Sequence, residues 1–134
     1  MKYKFLEHTA DIKIQSFGKN INEVFENSVL AISEYISRGA KIKSIKEKSI
    51  NITGENIESM YYQFLEEIIY LLDAEGFIAS NAKITIKDNN IRGKILGDDS
   101  KNYKNLDHIK AATYAEMYIK KTPSGWQAQC VLDV

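Results

Sequence analysis

Two hydrophobic periods take turns along this chain, and the places where they switch divide it into elements. Asp11-Ile12-Lys13-Ile14-Gln15-Ser16 alternates polar and apolar, the period of a half-buried strand, and Gly18-Lys19 closes it. Asn20 then reads as a helix N-cap, with Glu23 three residues on to complete a capping box. Ile21, Val24, Phe25, Ser28, Val29, Ile32 and Ile36 follow at helical spacing, and Gly39 supplies the stop, which predicts a helix near Asn20–Arg38. The lysine-rich stretch beyond it alternates cleanly only from Ser49 to Thr53, where a strand is expected. Gly54 and Asn56 open a second helix, near Asn56–Glu75. Its apolar stripe is Ile57, Tyr61, Phe64, Leu65, Ile68, Leu71 and Leu72, and Gly76 ends it.

The rest of the chain reads as antiparallel strands. Ile84 and Ile86 alternate, Asp88-Asn89-Asn90 turns, and Ile91, Gly93 and Ile95 alternate again, which predicts a hairpin. Gly97 to Asp107 is polar and reads as a mobile loop. Ala115, Met117 and Ile119 mark another strand, and Thr122-Pro123-Ser124-Gly125 a turn. Trp126, Ala128, Cys130 and Leu132 form the apolar face of the last strand. The order predicts an α+β fold: two helices packed on one face of a largely antiparallel β-sheet, in two layers.

Composition narrows the classes. At 134 residues the chain is expected to be one domain, residues 1–134, large enough to fold without staples. The single cysteine, Cys130, excludes an internal disulfide and shares its phase with core residues, so it reads as a buried thiol. No apolar run approaches a membrane span or a signal peptide, and the expected location is cytoplasmic. Eighteen basic residues cancel eighteen acidic ones, and only Arg38 and Arg92 are arginines. That composition argues against direct RNA or DNA binding, which favours a basic field and guanidinium forks. The sign does vary locally: Arg38 to Lys48 holds five positive charges against Glu47, and Glu55 to Glu75 holds six negative charges and no positive one. Solvated faces of opposite sign are the ordinary reading of such runs. The exposed faces carry no obvious large apolar patch, so a monomer is expected.

Candidate chemistry is sparse. No nucleophile elbow or phosphate loop is present, and His8 and His108 are too few for a multi-histidine metal site. One constellation stands out at the chain's two ends. Asp11 lies on the polar phase of the first strand, and Asp133 on that of the last, with the Val134 carboxylate beside it. If those strands met, three anionic groups would converge into a site for a hard cation such as calcium or magnesium. The same spacing also describes ordinary solvated strand-end carboxylates. His8 reads first as a structural hydrogen-bonding residue, and beside a carboxylate cluster it could also carry a proton.

These residues resemble a known family. Phe5-Leu6-Glu7-His8-Thr9-Ala10-Asp11-Ile12 resembles the opening motif of the archeases. Tyr62-Gln63-Phe64-Leu65-Glu66-Glu67, Asp73-Ala74-Glu75-Gly76, Lys110-Ala111-Ala112-Thr113-Tyr114 and Val131-Leu132-Asp133-Val134 resemble later family segments, in order. Ala115 departs from the pattern, since archeases commonly place a histidine after the threonine-tyrosine pair; no spacing argument lets His108 substitute. The resemblance implies an accessory factor and not an enzyme. Its partner would be an RtcB-type RNA ligase, which joins a 3′-phosphate to a 5′-hydroxyl in tRNA splicing and RNA repair. The factor would promote ligase guanylylation and multiple turnover, and would meet RNA only through the ligase. Asp11, Asp133 and Val134 match the family's ligands for a divalent cation, with calcium favoured and magnesium or manganese as alternatives. His8 would support the site or contact the partner. The rival readings are a general chaperone or adaptor for RNA-modification proteins and, from a different class, a small metal-dependent hydrolase.

Overall fold

The computed structural model describes residues 1–8 and 10–134; Thr9, within the opening motif, lies outside the described residues. In chain order the elements are β1 (Tyr3–Leu6), β2 (Asp11–Gly18), α1 (Ile21–Ser37), β3 (Lys46–Thr53) and α2 (Ile57–Glu75). β4 (Phe77–Lys87), β5 (Asn90–Asp99), a 3-10 turn at Ser100–Asn102, β6 (Ala111–Thr122) and β7 (Gly125–Asp133) follow. The α+β reading and both long helices hold. The strands, however, divide into two antiparallel sheets: β1-β2-β7-β6 and β3-β5-β4. α1 lies against β2 and β4, and α2 against β6 and β4, so each helix bridges the two sheets. One apolar cluster runs through the whole, from Ile14 and Cys130 in the first sheet through Phe25, Tyr61 and Phe64 to Ile91 and Ile95 in the second.

Local chemistry sets the element ends. The Asn20 side chain accepts the Glu23 N–H at 2.9 Å, and the Asn56 side chain accepts that of Ser59 at 2.8 Å. Glu23 reaches back to the N–H of Lys19 at 3.4 Å, one residue before the cap. The left-handed residue that ends α1 is Arg38 (φ 55°), with Gly39 (φ 84°) after it. Arg38 accepts this geometry while its guanidinium holds Asp107 at 2.9 Å and the Gly39 N–H donates to the Glu34 carbonyl at 3.0 Å. The β4–β5 hairpin turns through Asp88 (φ 52°) and Asn89 (φ 61°), the left-handed pair that a tight two-residue connection requires.

The expectation of a polar loop over the whole of Gly97–Asp107 is corrected in its first part. Its first residues complete β5, and Asp98 is only 3% exposed. The Asp98 carboxylate accepts bonds from the Tyr103 hydroxyl (2.8 Å), the Asn102 amide (3.1 Å) and the Asp99 N–H (2.7 Å). Tyr103 in turn accepts the Lys43 N–H at 2.9 Å, and the Asp107 N–H donates to Ile36 at 2.8 Å. Asp98, Tyr103 and Asp107 are tied into the fold while Lys101, Lys104 and Asn105 stay exposed, a division composition cannot show. Among the described residues, no helix is long and apolar enough to cross a membrane.

Candidate functional site

Strand alternation gives the first sheet an inner apolar face and an outer polar one. Ile14, Ser16, Ala128, Cys130 and Leu132 are buried on the helix side. Burial pushes the Cys130 thiol up to about 12, so it is no nucleophile at neutral pH. The outer face carries Gln15 and Gln129, bonded at 2.9 Å, with Tyr118 accepting from Gln15 and Gln127. Asp11 and Asp133 close this polar strip at one end of the sheet.

β2 and β7 are antiparallel neighbours in a register that sets Asp11 directly opposite Asp133. Directly opposed residues project from the same face, with Cβ atoms about 5 Å apart. The first and last predicted strands therefore do meet, at the end where both aspartates stand. On the far side of β7, Ala111 of β6 opposes Asp133, and the Lys110 N–H donates to the Asp133 carbonyl at 2.8 Å. The Val134 side chain packs against the core, beside Asp133 in the chain. Asp133 is exposed and Asp11 half-buried.

His8 joins this end by way of a residue the sequence pattern did not single out. Its Nδ1 lies 3.6 Å from Asp11 Oδ2, while its Nε2–H donates to Glu116 Oε2 at 3.0 Å. Nδ1 is buried and without a hydrogen-bond partner among the described residues. The other Glu116 oxygen accepts Lys13 Nζ at 2.9 Å. Glu116 stands at φ 53°, inside the stretch where β6 slips its register on β7 between Thr113 and Tyr118. The irregularity is built in: Thr113 Oγ1 donates to the Val131 carbonyl at 2.8 Å and accepts the Ala115 N–H at 3.2 Å. The Gln129 amide donates to the Glu116 carbonyl at 2.7 Å. A bulge of this kind re-aims one side chain, and here it brings Glu116 to His8. A break in the β6 alternation is the only sequence signal of it. His108 is elsewhere, exposed, with Nε2 3.3 Å from Asp73 Oδ1.

The archease protein family model (MTH1598/TM1083) matches residues 3–134. The chain belongs to the archease family. It is 37% identical to the protein archease of Pyrococcus furiosus over 140 residues, covering 99% of each chain. It is 35% identical to that of Methanosarcina barkeri, covering 99% of this chain and 96% of the relative. Its fold matches the solution structure of Methanobacterium thermoautotrophicum protein 1598 with a TM-score of 0.81, at 28% identity and 98% coverage of both chains.

The donors at this end suit a hard cation in kind, since two carboxylates and main-chain oxygens are what such ions take. Among the described residues, no three His, Cys, Asp or Glu side chains converge on one point. The facing aspartates would therefore need Val134 oxygens to complete a protein ligand set. Glu116 is engaged otherwise. The Lys13 ammonium bonded to it, and then His8, hold its carboxyl below the usual glutamate value. With a depressed folded value, this contact stabilises the fold above the unfolded glutamate value and is lost as pH falls through the folded one. Lys13→Met should raise the Glu116 midpoint toward the ordinary one, as read by carboxyl-carbon NMR. An unmoved midpoint would show that Lys13 is not its main partner.

Proposed function

We propose that the chain is an accessory factor for an RtcB-type RNA ligase, raising the yield of guanylylated ligase and permitting repeated turnover. The observation that carries this reading is the direct opposition of Asp11 and Asp133 beside Val134, in a chain of the archease family. Two facing carboxylates on an outer sheet face form an acceptor for a cation, and a docking point once the cation is shared with a partner. All-oxygen donors favour calcium, with magnesium or manganese as alternatives. When bound, the cation supplies positive charge to polyphosphate oxygens brought against it.

The chain's own residues do the rest. Asp11 and Asp133 face outward from the two central strands of the sheet, which fixes their spacing before a partner arrives. Glu116 holds one edge of the His8 ring and sets the other 3.6 Å from Asp11 Oδ2, so the ring packs beside the carboxylate and would limit the positions it takes. An activator must contact two states of its target differently, or it shifts nothing. This end of the sheet would make such a contact through a shared cation, a role that requires no nucleophile of its own.

The test is guanylylation of the cognate ligase with radiolabelled GTP. Wild-type protein at substoichiometric amounts should raise the ligase–guanylate yield. Asp11→Ala, folded by circular dichroism, should not. Equal stimulation by the variant would remove the carboxylate pair from the mechanism. No stimulation by wild type of an active ligase would favour the adaptor reading. GTP or RNA turnover by the purified chain alone would favour the hydrolase.

A further inference from the structure

A second surface lies apart from the carboxylate end, where β3 meets α2. β3 is an edge strand, paired with β5 on one side and, among the described residues, with no strand on the other. Between its last residues and the helix runs a groove of about 520 Å³. Ile52 and Tyr62 line it, together with Tyr70, which is 54% exposed. Tyr62 stacks on Tyr114 of β6 with centroids 4.3 Å apart and planes within 10°, extending the aromatic wall to a second exposed ring.

The charged groups of the groove are all of one sign. Glu66 and Glu67 line it and, among the described residues, no lysine or arginine does. Among the described residues neither glutamate is in an ion pair, although Lys48 pairs with Glu75 one end of the helix away. α2 itself carries no basic residue to neutralise them. Burial, with Glu75 adding to it, raises the Glu67 carboxyl above its usual value, the mark of an acid lacking a counter-charge. Edge strands are commonly guarded by charge. β3 has that guard at Lys46, Glu47 and Lys48, but its groove end, Ser49 to Thr53, carries none.

We propose that this groove docks an extended, arginine-bearing segment of a partner protein. The backbone of such a segment would add to the free edge of β3, as extended peptides do on open sheet edges. Alternate side chains would then point at α2, where a guanidinium can lie on a tyrosine face and bond a glutamate at once. Gln63 donates to the Thr53 carbonyl at 3.2 Å, so its amide would turn aside for the segment to pair at Thr53, while Asn51 pairs without that exchange. A nucleic acid is the wrong charge for the site. This surface uses neither Asp11 nor Asp133, so it stands or falls separately from the cation reading.

The probe is an end-blocked octapeptide of alternating valine and arginine, with a valine–citrulline peptide of the same shape and no charge. Binding is followed by fluorescence anisotropy and by amide shifts in 15N-labelled protein. Wild type should bind the arginine peptide about tenfold more tightly than the citrulline one, the scale of one cation–π contact with an ion pair. Shifts should concentrate at 51–53 and along α2. Glu67→Gln/Tyr70→Ser should lose about the same factor, and Tyr70→Ser alone, an exposed change that leaves the core intact, should lose part of it. Equal binding of the two peptides, unchanged affinity in the double variant, shifts on another face, or no binding would overturn the proposal. So would a concentration-dependent dimer in sedimentation that Tyr70→Ser abolishes, since the occupant would then be a second copy.

Discussion

Gly93→Ala should cost about 2–6 kcal/mol of stability at 25 °C. Gly93 sits in β5, the central strand of the three-stranded sheet, with φ at +153°, where side chains are rarely tolerated. A Cβ there would stand 2.1 Å from the Lys83 carbonyl oxygen and 2.7 Å from Ile84 Cα. Both are backbone atoms of β4, so relief requires parting the two strands. Backbone strain of about 1–3 kcal/mol adds to overpacking of about 1–3 kcal/mol. Against a total stability of roughly 5–15 kcal/mol, that is a large share. Gly39→Ala is the matched control: φ is +84° and nothing lies within 4 Å of the added methyl, so only the left-handed penalty of about 1 kcal/mol applies. Urea unfolding followed by circular dichroism measures both. A Gly93→Ala variant within about 1 kcal/mol of wild type would mean that β4 and β5 are not paired in this register.

The second large effect is a change of sign at Asp11. Without a cation, two like charges directly opposed across β2 and β7 repel. Asp11→Ala should therefore be neutral or slightly stabilising, by a few tenths of a kcal/mol. With calcium at about a hundredfold its dissociation constant, the folded wild type should gain about 2.7 kcal/mol, because only the folded register assembles the ligands. Neither Asp11→Ala nor Asp133→Ala should gain it, and Lys101→Ala in the 3-10 turn should gain it in full. Thermal melts with chelator, calcium, magnesium and manganese read this directly. A calcium-dependent shift that survives in both aspartate variants would place the cation elsewhere. A destabilised Asp11→Ala in chelator would show that the carboxylate supports the apo fold, through His8 or otherwise.

The helices were legible because their signals are local. The stripe from Ile21 to Ile36 and the asparagines at 20 and 56 act within a few residues, as does the Asp88-Asn89 turn. The partition into two sheets was not legible, since alternation says which face a strand buries and nothing about its neighbour. β1 was missed because four residues with only their ends half-buried carry no alternation to read. Asp98 was read as loop because a buried carboxylate and a solvated one have the same sequence, and only Tyr103 and Asn102 tell them apart. At the candidate site the phases of Asp11 and Asp133 were readable, and their facing position followed once β2 and β7 paired. Glu116 was hidden for the opposite reason: the bulge that aims it at His8 is a defect in the pattern that sequence reading depends on.

The pairing of β2 with β7 also sets when the site can exist. Gln15 and Gln129, bonded across these strands, are 114 positions apart in the chain. Contacts of such separation form late, after closure of the intervening loop has cost its entropy. During synthesis β2 emerges long before its partner and must wait, one edge covered only by β1. The second sheet can assemble in that interval, because β3, α2, β4 and β5 are consecutive in the chain. Asp11 acquires its opposing carboxylate only when β7 arrives. A cation held by both would thus act as a proof of completion, bound by finished molecules and ignored by partial ones.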